Sequence, residues 1–546
     1  MPDSEPWWRS TVVYQVYPRS LPTPTGTASA TCRASSTGWN TWSIWASTPC
    51  GCRRSSPTPQ QDIGYDVSDY RSVAPEYGTL GDAQRLIDRA HDLGLKVLFD
   101  LVLNHTSDQH PWFLESRSSR DNPKADWYVW DDGRSWPGGR RRPPNNWRSE
   151  LQIPGAWHWC PEEASSGTWR RSSTSSLTST GTTEVRAEMF DMIRGWLERR
   201  VDGFRLDIFG SIMHDVRLRN NNPRPTVMSG MPRLQTPNRT LNTEENFDLA
   251  VELRAVCDSF DGDRVLLGEV FGTSDVLKRY LRFRGKPALH LVFAFDFLAA
   301  PYRASTLRRL FSTFERDYPS PHLPALVLEN HDRSRSLSRL GGDLAKARVM
   351  ATLLLTLRGV PVIYQGQEIG MTNRYIPLAD ANDPVPAAVA RFLPEAISRR
   401  IPERLNRDEV RTPMHWNAQR GAGFTSAEAA PWLPLDPDYV HVNVEDQTGR
   451  DTSLLEFYRR LLALRRARPA LNSGTLVLRP QAEDSDVIMF ERFHDDDHVV
   501  VAANLGADEA TVDLAHLGEV LLSSEPSSSL TGAIATLAPN SAMVVG

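Results

Sequence analysis

Four short segments of the chain share one pattern, in which an apolar run of the kind found in a buried parallel strand ends in polar and ionisable residues. These segments are residues 100–105, 203–207, 267–270 and 329–332. In a (β/α)8 barrel the carboxyl ends of all strands meet at one face, so such residues come together there. The pattern therefore predicts a parallel barrel with a functional site at that face.

The rest of the chain between residues 79 and 364 supports this prediction, because helical and extended patterns alternate with short connections. Apolar residues at helical spacing predict helices over residues 80–93, 185–199, 246–260 and 346–358. Runs rich in β-branched and aliphatic residues predict strands over residues 96–103, 201–208, 265–270, 325–328 and 360–364. Repeated helix-then-strand steps indicate a parallel sheet with helices outside it.

Two regions depart from this alternation. About eighty residues rich in Trp, Pro, Gly and Arg follow the strand at 96–103 and are too long for an ordinary loop, which indicates a small inserted domain. After a predicted helix at 454–467, short alternating strands at 475–478, 487–493, 498–504 and 542–545 indicate a C-terminal antiparallel β-sandwich. The predicted domains are the barrel (residues 1–104 and 184–468), the inserted domain (105–183) and the C-terminal sandwich (469–546).

Composition narrows the possible partners. The chain of 546 residues has 40% hydrophobic residues, 24% charged residues and a net charge of -5, which predicts no nucleic-acid or anionic membrane surface. The five cysteines show no zinc-ligand spacing and predict no disulfide framework. The acidic first residues lack the apolar segment of a secretion signal, so we expect a cytoplasmic protein. The absence of a strongly charged surface favours a small neutral molecule as its substrate. We also expect a monomer or a small homo-oligomer.

Three carboxylates at three predicted strand ends indicate the chemistry. Retaining glycoside hydrolysis needs one carboxylate that attacks the sugar and a second, protonated one, roughly 5 Å away, that protonates the leaving oxygen. We predict Asp207 as the nucleophile and Glu269 as the acid, with Arg205 two residues before Asp207 on the same strand face and able to hold it ionised. Asp332 is expected to bind sugar hydroxyls in the transition state.

A resemblance to a known family adds to this reading. The four segments, with residues 64–70 and 14–20, resemble conserved regions of the α-amylase superfamily of glycoside hydrolases, and residues 365–371 and 411–416 are similar to segments of its α-glucosidase and oligo-1,6-glucosidase branch. The resemblance implies the catalytic roles given above for Asp207, Glu269 and Asp332. It also implies that the terminal glucose is bound by the following residues: Tyr65, Asp66, His105, Arg205, His331 and Arg407.

Three functions remain open at this point. The first is a retaining α-glucosidase that removes single glucose units from short oligosaccharides. The second uses the same chemistry for transfer or isomerisation, as in a trehalose or isomaltulose synthase, and differs in whether water or a sugar intercepts the glucosyl-enzyme. The third is a non-catalytic carbohydrate-binding relative. Departures from the family pattern at Glu329, Gln367 and His415 leave the aglycone side of the site undefined.

Two segments do not fit the barrel pattern. Residues 21–60 contain fifteen Ser or Thr and no Asp, Glu or Lys, and residues 164–183 contain thirteen Ser or Thr. Disordered insertions are one interpretation. We favour out-of-frame translation, because compatible codons for residues 24–31, read two nucleotides later, encode a stretch similar to the calcium loop of relatives. The written chain lacks that loop, and we expect its chemistry to require no cofactor or metal.

Overall fold

In the computed structural model, the placement of only part of the chain is defined. The described residues are 5–20, 42–49, 64–74, 77–138, 140–148, 156–160, 168–171, 176–178, 183–228, 231–383, 397, 406–425, 430–515 and 518–546. All structural statements below concern these residues.

Within the described residues, eight parallel strands form a closed barrel, as the four strand-end segments predicted. The order of the strands around the barrel equals their order along the chain, and the last strand pairs with the first, for example Val13 with Val362. The strands are β1 (Val12–Val16), β2 (Trp42–Pro49), β3 (Lys96–Leu101), β4 (Gly203–Leu206), β5 (Val265–Gly268), β6 (Leu291–Ala294), β7 (Pro324–Val327) and β8 (Val360–Tyr364).

Seven helices of eight or more residues are present in the described part of the chain. They are α1 (Leu80–Asp92), α2 (Thr183–Glu198), α3 (Glu244–Asp258), α4 (Ser274–Leu281), α5 (Ala304–Asp317), α6 (Leu344–Thr356) and α7 (Leu454–Ala467). The first six each precede one of the strands β3 to β8, and α7 follows β8. This is the alternation that the sequence predicted.

The first of these helices shows how local sequence sets the boundaries. Thr79 and Asp82 form a reciprocal capping box, in which each side chain accepts a hydrogen bond from the backbone N–H of the other. The helix buries Ile87 on its inner face and ends before Gly94, which has a φ of 73°. The chain then enters β3 at once, so its carboxyl end reaches the site face.

Residues 21–60, which do not fit the barrel pattern, still supply a barrel strand. Trp42–Pro49 forms β2 and pairs in parallel with both β1 and β3. Backbone hydrogen bonds between neighbouring strands require no particular side chains, so a segment with few aliphatic residues can still complete the ladder. The sequence analysis also did not predict β6, α4 or α5.

The lower part of the barrel is filled by apolar side chains. Buried side chains of β1, β3, β5, β6, β7 and β8 form one cluster, which includes Val13, Leu98, Leu267, Phe293, Val327 and Val362. Trp7 and Trp8 pack against this cluster. Because the interior is closed by these side chains, the open, polar end of the barrel is the end at which the strands terminate.

The inserted region after β3 forms a small set of antiparallel strands. His105–Ser107 pairs with Ser176–Thr178, and a three-stranded sheet contains Trp157–Cys160, Thr168–Arg171 and Trp130–Asp131. A hairpin joins Arg134–Trp136 to Arg140–Arg142. The region begins directly after the strand that carries residues 100–105, so it lies at the functional face of the barrel.

The C-terminal region is a sandwich of two antiparallel sheets. Its strands are β9 (Thr475–Leu478), β10 (Val487–His494), β11 (Asp497–Asn504), β12 (Ala510–Asp513), β13 (Val520–Ser523), β14 (Ser529–Thr531), β15 (Ile534–Leu537) and β16 (Ser541–Val545). The sheets have the orders β9-β10-β11-β16-β13 and β12-β15-β14. Met489 and Val500 of the larger sheet pack against Ala535 and Leu537 of the smaller one, whereas Phe490 and Val501 face the barrel.

Candidate active site

Arg205 lies at the centre of a buried group of charged side chains at the carboxyl ends of β3, β4 and β5. Its Nη1 donates to Asp207 Oδ1 at 2.6 Å and to both oxygens of Asp100, at 2.9 and 3.0 Å. Its Nη2 donates to Glu269 Oε2. One guanidinium therefore bridges the two carboxylates that the sequence predicted as nucleophile and acid, and it also contacts a third.

This buried group contains more carboxyl groups than cations, which changes the pKa values of the carboxyl groups. Burial raises the pKa of Glu269 to about 8, against the lowering effect of Arg205 and with further raising from Asp207 and Asp332. Burial likewise raises the pKa of Asp100 to about 7, although Arg205 opposes this increase. Glu269 therefore carries a proton at neutral pH, which is the state that a general acid requires.

Asp332 faces this group from the loop after β7 and is surrounded by cations. Its Oδ1 accepts hydrogen bonds from Arg411 Nη2 at 2.8 Å and from Arg407 Nη1 at 3.2 Å. Burial alone would raise the pKa of Asp332, but the positive charges around it, including those of Arg407 and Arg411, hold it well below its usual range. Asp383, which is buried, binds the other side of the Arg407 guanidinium through both carboxylate oxygens.

Tyr65 and His331 form a second part of the site. Their rings are parallel within 11°, with centroids 5.8 Å apart, and Tyr65 Oη lies 2.6 Å from His331 Nε2. The Tyr65 hydroxyl donates to Asp100 Oδ2 at 3.1 Å. Burial lowers the pKa of His331 to about 3, so its imidazole is neutral at working pH. Stacking of Tyr65 beneath a glucose ring stays a prediction.

Asp66 and His105, two further predicted residues, lie on adjoining segments. The backbone N–H of Ser107 donates to the carbonyl of Val67 at 2.8 Å, which joins the loop carrying Asp66 to the strand carrying His105. Both side chains are buried. Among the described residues, His105 Nε2 has no hydrogen-bond partner, so this nitrogen is available to a ligand.

Four residues of this site were not predicted as site residues. Asp100 and Arg411 lie inside the segments that carried the resemblance, and their charged side chains at strand or loop ends were a usable signal. Gln15 lies in the β1 segment, and its Nε2 is 2.7 Å from His331 Nδ1. Asp383 lies in an irregular stretch after β8 with no periodic pattern, so only the folded chain brings it to Arg407.

The side chains of the three residues that depart from the family pattern are all buried and bonded to other parts of the protein. Buried Glu329 pairs with Arg335 at 3.2 Å and accepts from the backbone of Ser336. Gln367 donates to Tyr458 Oη at 2.8 Å, and His415 Nδ1 lies 2.9 Å from the carbonyl oxygen of Val442. These residues therefore give no information on the aglycone side of the site.

The residue after Asp207 has an unusual backbone. Ile208 has φ 32° and ψ 42°, in the left-handed region that β-branched residues rarely adopt. Its N–H points toward Glu269 Oε2 at 3.5 Å. Such conformations cost about 1–3 kcal/mol and persist where surrounding structure enforces them, often at functional sites.

Metal, membrane and cysteine predictions are tested only in part. Within the described ranges, no group of three or more His, Cys, Asp and Glu side chains is arranged to hold a metal ion. Residues 24–31, the stretch related to the calcium loop, lie outside those ranges. No helix in the described part is long and apolar enough to cross a membrane. Cys257 is a buried free thiol.

A closed parallel barrel with two arginine-bridged carboxylates at its carboxyl face, and a third carboxylate opposite them, defines the class of a barrel glycoside hydrolase. The sequence comparison agrees. The model of the alpha amylase catalytic domain matches residues 56–474, and a domain of unknown function, DUF3459, matches residues 467–545. The chain belongs to the alpha-amylase family of glycoside hydrolases.

Individual relatives narrow the comparison. A probable alpha-glucosidase of Rhizobium meliloti (strain 1021) is 35% identical over 94% of this chain and 92% of the relative. An oligo-1,6-glucosidase of Parageobacillus thermoglucosidasius is 29% identical over 91% of this chain and 90% of the relative.

Solved structures show the same fold over nearly the whole chain. The alpha-glucosyl transfer enzyme XgtA superposes with a TM-score of 0.84 and 33% identity over 99% of both chains. The trehalulose synthase MutB from Pseudomonas mesoacidophila MX-45 superposes with a TM-score of 0.83 and 28% identity, also over 99% of both chains. The structural neighbours thus include one enzyme described as an alpha-glucosyl transfer enzyme and one described as a trehalulose synthase.

Proposed function

We propose that this protein is a retaining α-glucosidase that releases terminal glucose from short α-linked oligosaccharides through a covalent glucosyl-enzyme. The observation that carries the proposal is the bridge from one buried guanidinium, that of Arg205, to both Asp207 and Glu269. A single bridging group keeps the two carboxyl groups close, and a short separation is what retention requires, roughly 5 Å. The relatives named alpha-glucosidase and oligo-1,6-glucosidase support the substrate class.

In the first step, Asp207 attacks the anomeric carbon while Glu269 gives its proton to the leaving oxygen. The permanent positive charge of Arg205, 2.6 Å from Asp207, stabilises the attacking carboxylate. Glu269, with its pKa raised to about 8, holds the proton to be transferred. In the second step the resulting Glu269 carboxylate takes a proton from water, which attacks the glucosyl-enzyme and releases α-glucose.

The remaining predicted residues are proposed to bind the glucose ring. Asp332 keeps a negative charge at working pH and can accept hydrogen bonds from two hydroxyls as positive charge develops on the ring. Arg407, whose side chain is 23% exposed, lies at the open side of this carboxylate. Asp66, Tyr65, His105 and His331 complete the pocket. This reaction needs no metal or organic cofactor, because carboxyl groups and water supply every proton and nucleophile.

The test is hydrolysis of p-nitrophenyl α-glucoside, followed by NMR of the first glucose released. Asp207→Asn serves as the blank, because it removes the nucleophile and keeps the size of the side chain. We expect p-nitrophenol release well above the blank and α-glucose as the first-formed anomer. Initial β-glucose would contradict a retaining mechanism. Equal rates in the two proteins would contradict the role of Asp207.

A second candidate, glucosyl transfer, is favoured by the structural neighbours XgtA and MutB. In this case fructose or another sugar takes the glucosyl group from Asp207 in place of water. Incubation with sucrose distinguishes the two, because hydrolysis yields glucose and fructose in equal amounts. An isomerase yields mainly a sucrose isomer and little free glucose. The same Asp207→Asn blank applies, since both reactions share the first step.

A further inference from the structure

Gln15, on the barrel strand β1, contacts His331, which is proposed to bind glucose but is neither the nucleophile nor the acid. Its side chain is completely buried, and its Nε2 lies 2.7 Å from His331 Nδ1. On the other edge of the ring, His331 Nε2 lies 2.6 Å from Tyr65 Oη and 3.2 Å from Asp332 Oδ2. Both ring nitrogens of His331 therefore have a defined partner.

The partners at the two ends give this chain of hydrogen bonds a direction. An amide nitrogen can only donate, so Gln15 requires His331 Nδ1 to be an acceptor. At the far end the Tyr65 hydroxyl donates its one hydrogen bond to Asp100 Oδ2, at 3.1 Å. Its oxygen must therefore accept a hydrogen bond from His331. A neutral imidazole has one N–H, and both ends require it on Nε2.

Neighbouring groups also hold the ring in place. The rings of Tyr65 and Tyr17 lie beside it, with interplanar angles of 11° and 23° and centroids 5.8 and 6.1 Å away. The backbone carbonyl of His331 accepts from Arg411 Nε at 2.9 Å. Rotation of the ring about its own axis is therefore blocked, and only the position of the proton is left to be chosen.

We propose that Gln15 is a positioning residue that fixes the tautomer of His331, with the proton on Nε2 and directed at Tyr65 and Asp332. The inference rests on the proposed function, since it concerns how the glucose pocket is prepared. With the proton on Nε2, His331 offers a donor beside Asp332, and the Tyr65 hydroxyl keeps its hydrogen bond to Asp100. The opposite tautomer would turn Tyr65 toward His331 and leave Asp100 without that hydrogen bond. Gln15 thus controls three groups of the site without touching substrate.

The direct test is NMR of the unmodified protein labelled with 15N in its thirteen histidines, at about pH 8. His331→Gln identifies the signals of His331 by their loss. The account predicts a pyridine-type shift for Nδ1 and a pyrrole-type shift for Nε2. A pyrrole-type Nδ1 overturns the inference. Because this readout does not depend on turnover, an inactive protein with the predicted tautomer would contradict the proposed function and leave the inference intact.

Variants of Gln15 provide a second readout. In Gln15→Glu the side chain can only accept once its carboxyl is ionised, so at such a pH the ring must move its proton to Nδ1 or become protonated, and Nδ1 then gives a pyrrole-type shift. We expect kcat/KM to fall about five- to tenfold, the factor that one hydrogen bond is worth. Unchanged His331 shifts at a pH at which the introduced carboxyl is ionised would overturn the inference.

A matched control is Gln447→Glu, since Gln447 is buried like Gln15 and its amide nitrogen likewise donates a hydrogen bond, to the carbonyl of Ile369. It should leave the His331 shifts unchanged. If the His331 shifts changed as much in Gln447→Glu as in Gln15→Glu, the inference would be overturned, because the ring would then respond to any buried charge. Gln15→Met keeps the volume of the side chain without hydrogen bonds and should give a mixture of tautomers. A ring that stays protonated only on Nε2 would show that the Tyr65 end alone fixes the tautomer and would overturn the inference.

Discussion

Arg205 donates a hydrogen bond of 2.6 Å to Asp207, two residues further along the same extended segment. Side chains two apart on a strand point to the same face, so the strand itself delivers the cation to the carboxylate. The same guanidinium reaches Glu269 on the next strand. The proposed nucleophile and acid are thus held by one group whose charge does not change with pH.

Arg205→Gln is predicted to destabilise the folded protein strongly. The guanidinium is 1% exposed and faces three carboxylates, which would be left buried without a cation. Removal of one partner from such a buried group costs about 3–5 kcal/mol, measurable as a lower urea midpoint. Arg194→Gln, on the exposed side of α2, removes the same charge and should leave the midpoint nearly unchanged. Equal midpoints in the two variants would contradict the bridging role.

Hydrolysis is predicted to fall as the pH rises through about 8. Glu269 must be protonated to act as an acid, and its pKa is raised to about 8, mainly by burial, so deprotonation above that pH removes the active form. Glu269→Gln should abolish this alkaline limb. It should also slow maltose hydrolysis far more than p-nitrophenyl α-glucoside cleavage, because p-nitrophenolate leaves without a proton. Equal losses on both substrates would argue against Glu269 as the acid.

Glu368 is predicted to lower the free energy of unfolding as the pH rises from 5 to 8. Burial raises the pKa of Glu368 to about 7, whereas a glutamate in the unfolded chain titrates at about 4.3. Between those values the folded state holds the Glu368 proton more tightly than the unfolded state, so the contribution of this group to stability declines as pH rises. Asp100 and Glu269 act in the same direction, whereas buried histidines such as His331, whose pKa values are lowered, act in the opposite direction.

Glu368→Gln isolates the contribution of Glu368, which accepts a hydrogen bond from Tyr14 Oη at 2.7 Å and lies outside the reacting groups. The urea midpoint of this variant should rise relative to that of the unmodified protein as the pH is taken from 5 to 8. A difference between the two midpoints that does not change with pH would show that Glu368 titrates normally in the folded protein.

Resequencing of the gene is predicted to show a different reading frame over residues 21–60 and 164–183. We propose this because both stretches are dominated by Ser and Thr, and because the alpha amylase match begins only at residue 56. The frame-restored chain should have a higher urea midpoint than the written chain. A confirmed written frame, with an intact mass equal to that of the printed sequence, would contradict a sequencing error and leave only real compensating frameshifts in the gene.

The sequence predicted those parts of the fold whose pattern is periodic. The helix at 454–467 and the strands at 360–364 and 475–478 match the structure to the residue. Strand β6, Leu291–Ala294, was missed because its apolar run continues directly into the helix Phe295–Ala299, so no change of pattern marks where the strand ends. Strand β2 was missed because its side chains carry no strand pattern, and its place follows only from its neighbours β1 and β3.

The candidate site was predictable where chemistry and strand ends coincide, as at Asp207, Glu269 and Asp332. It was not predictable where a residue acts through a long-range contact. The role of Asp383 depends on its contact with Arg407. The role of Gln15 depends on its contact with His331, which is 316 positions away in the sequence. The sequence shows the chemical types of such residues but not which partners the fold gives them.

The most direct test of the central claim is to trap the covalent intermediate with 5-fluoro-α-glucosyl fluoride, whose fluorine slows breakdown of the glucosyl-enzyme. Peptide mass spectrometry then locates the attached sugar. The account predicts one label, on Asp207, and none on Asp207→Asn. A label on Glu269, or rapid turnover of the natural substrate with no trapped enzyme under any condition, would contradict the double displacement through Asp207.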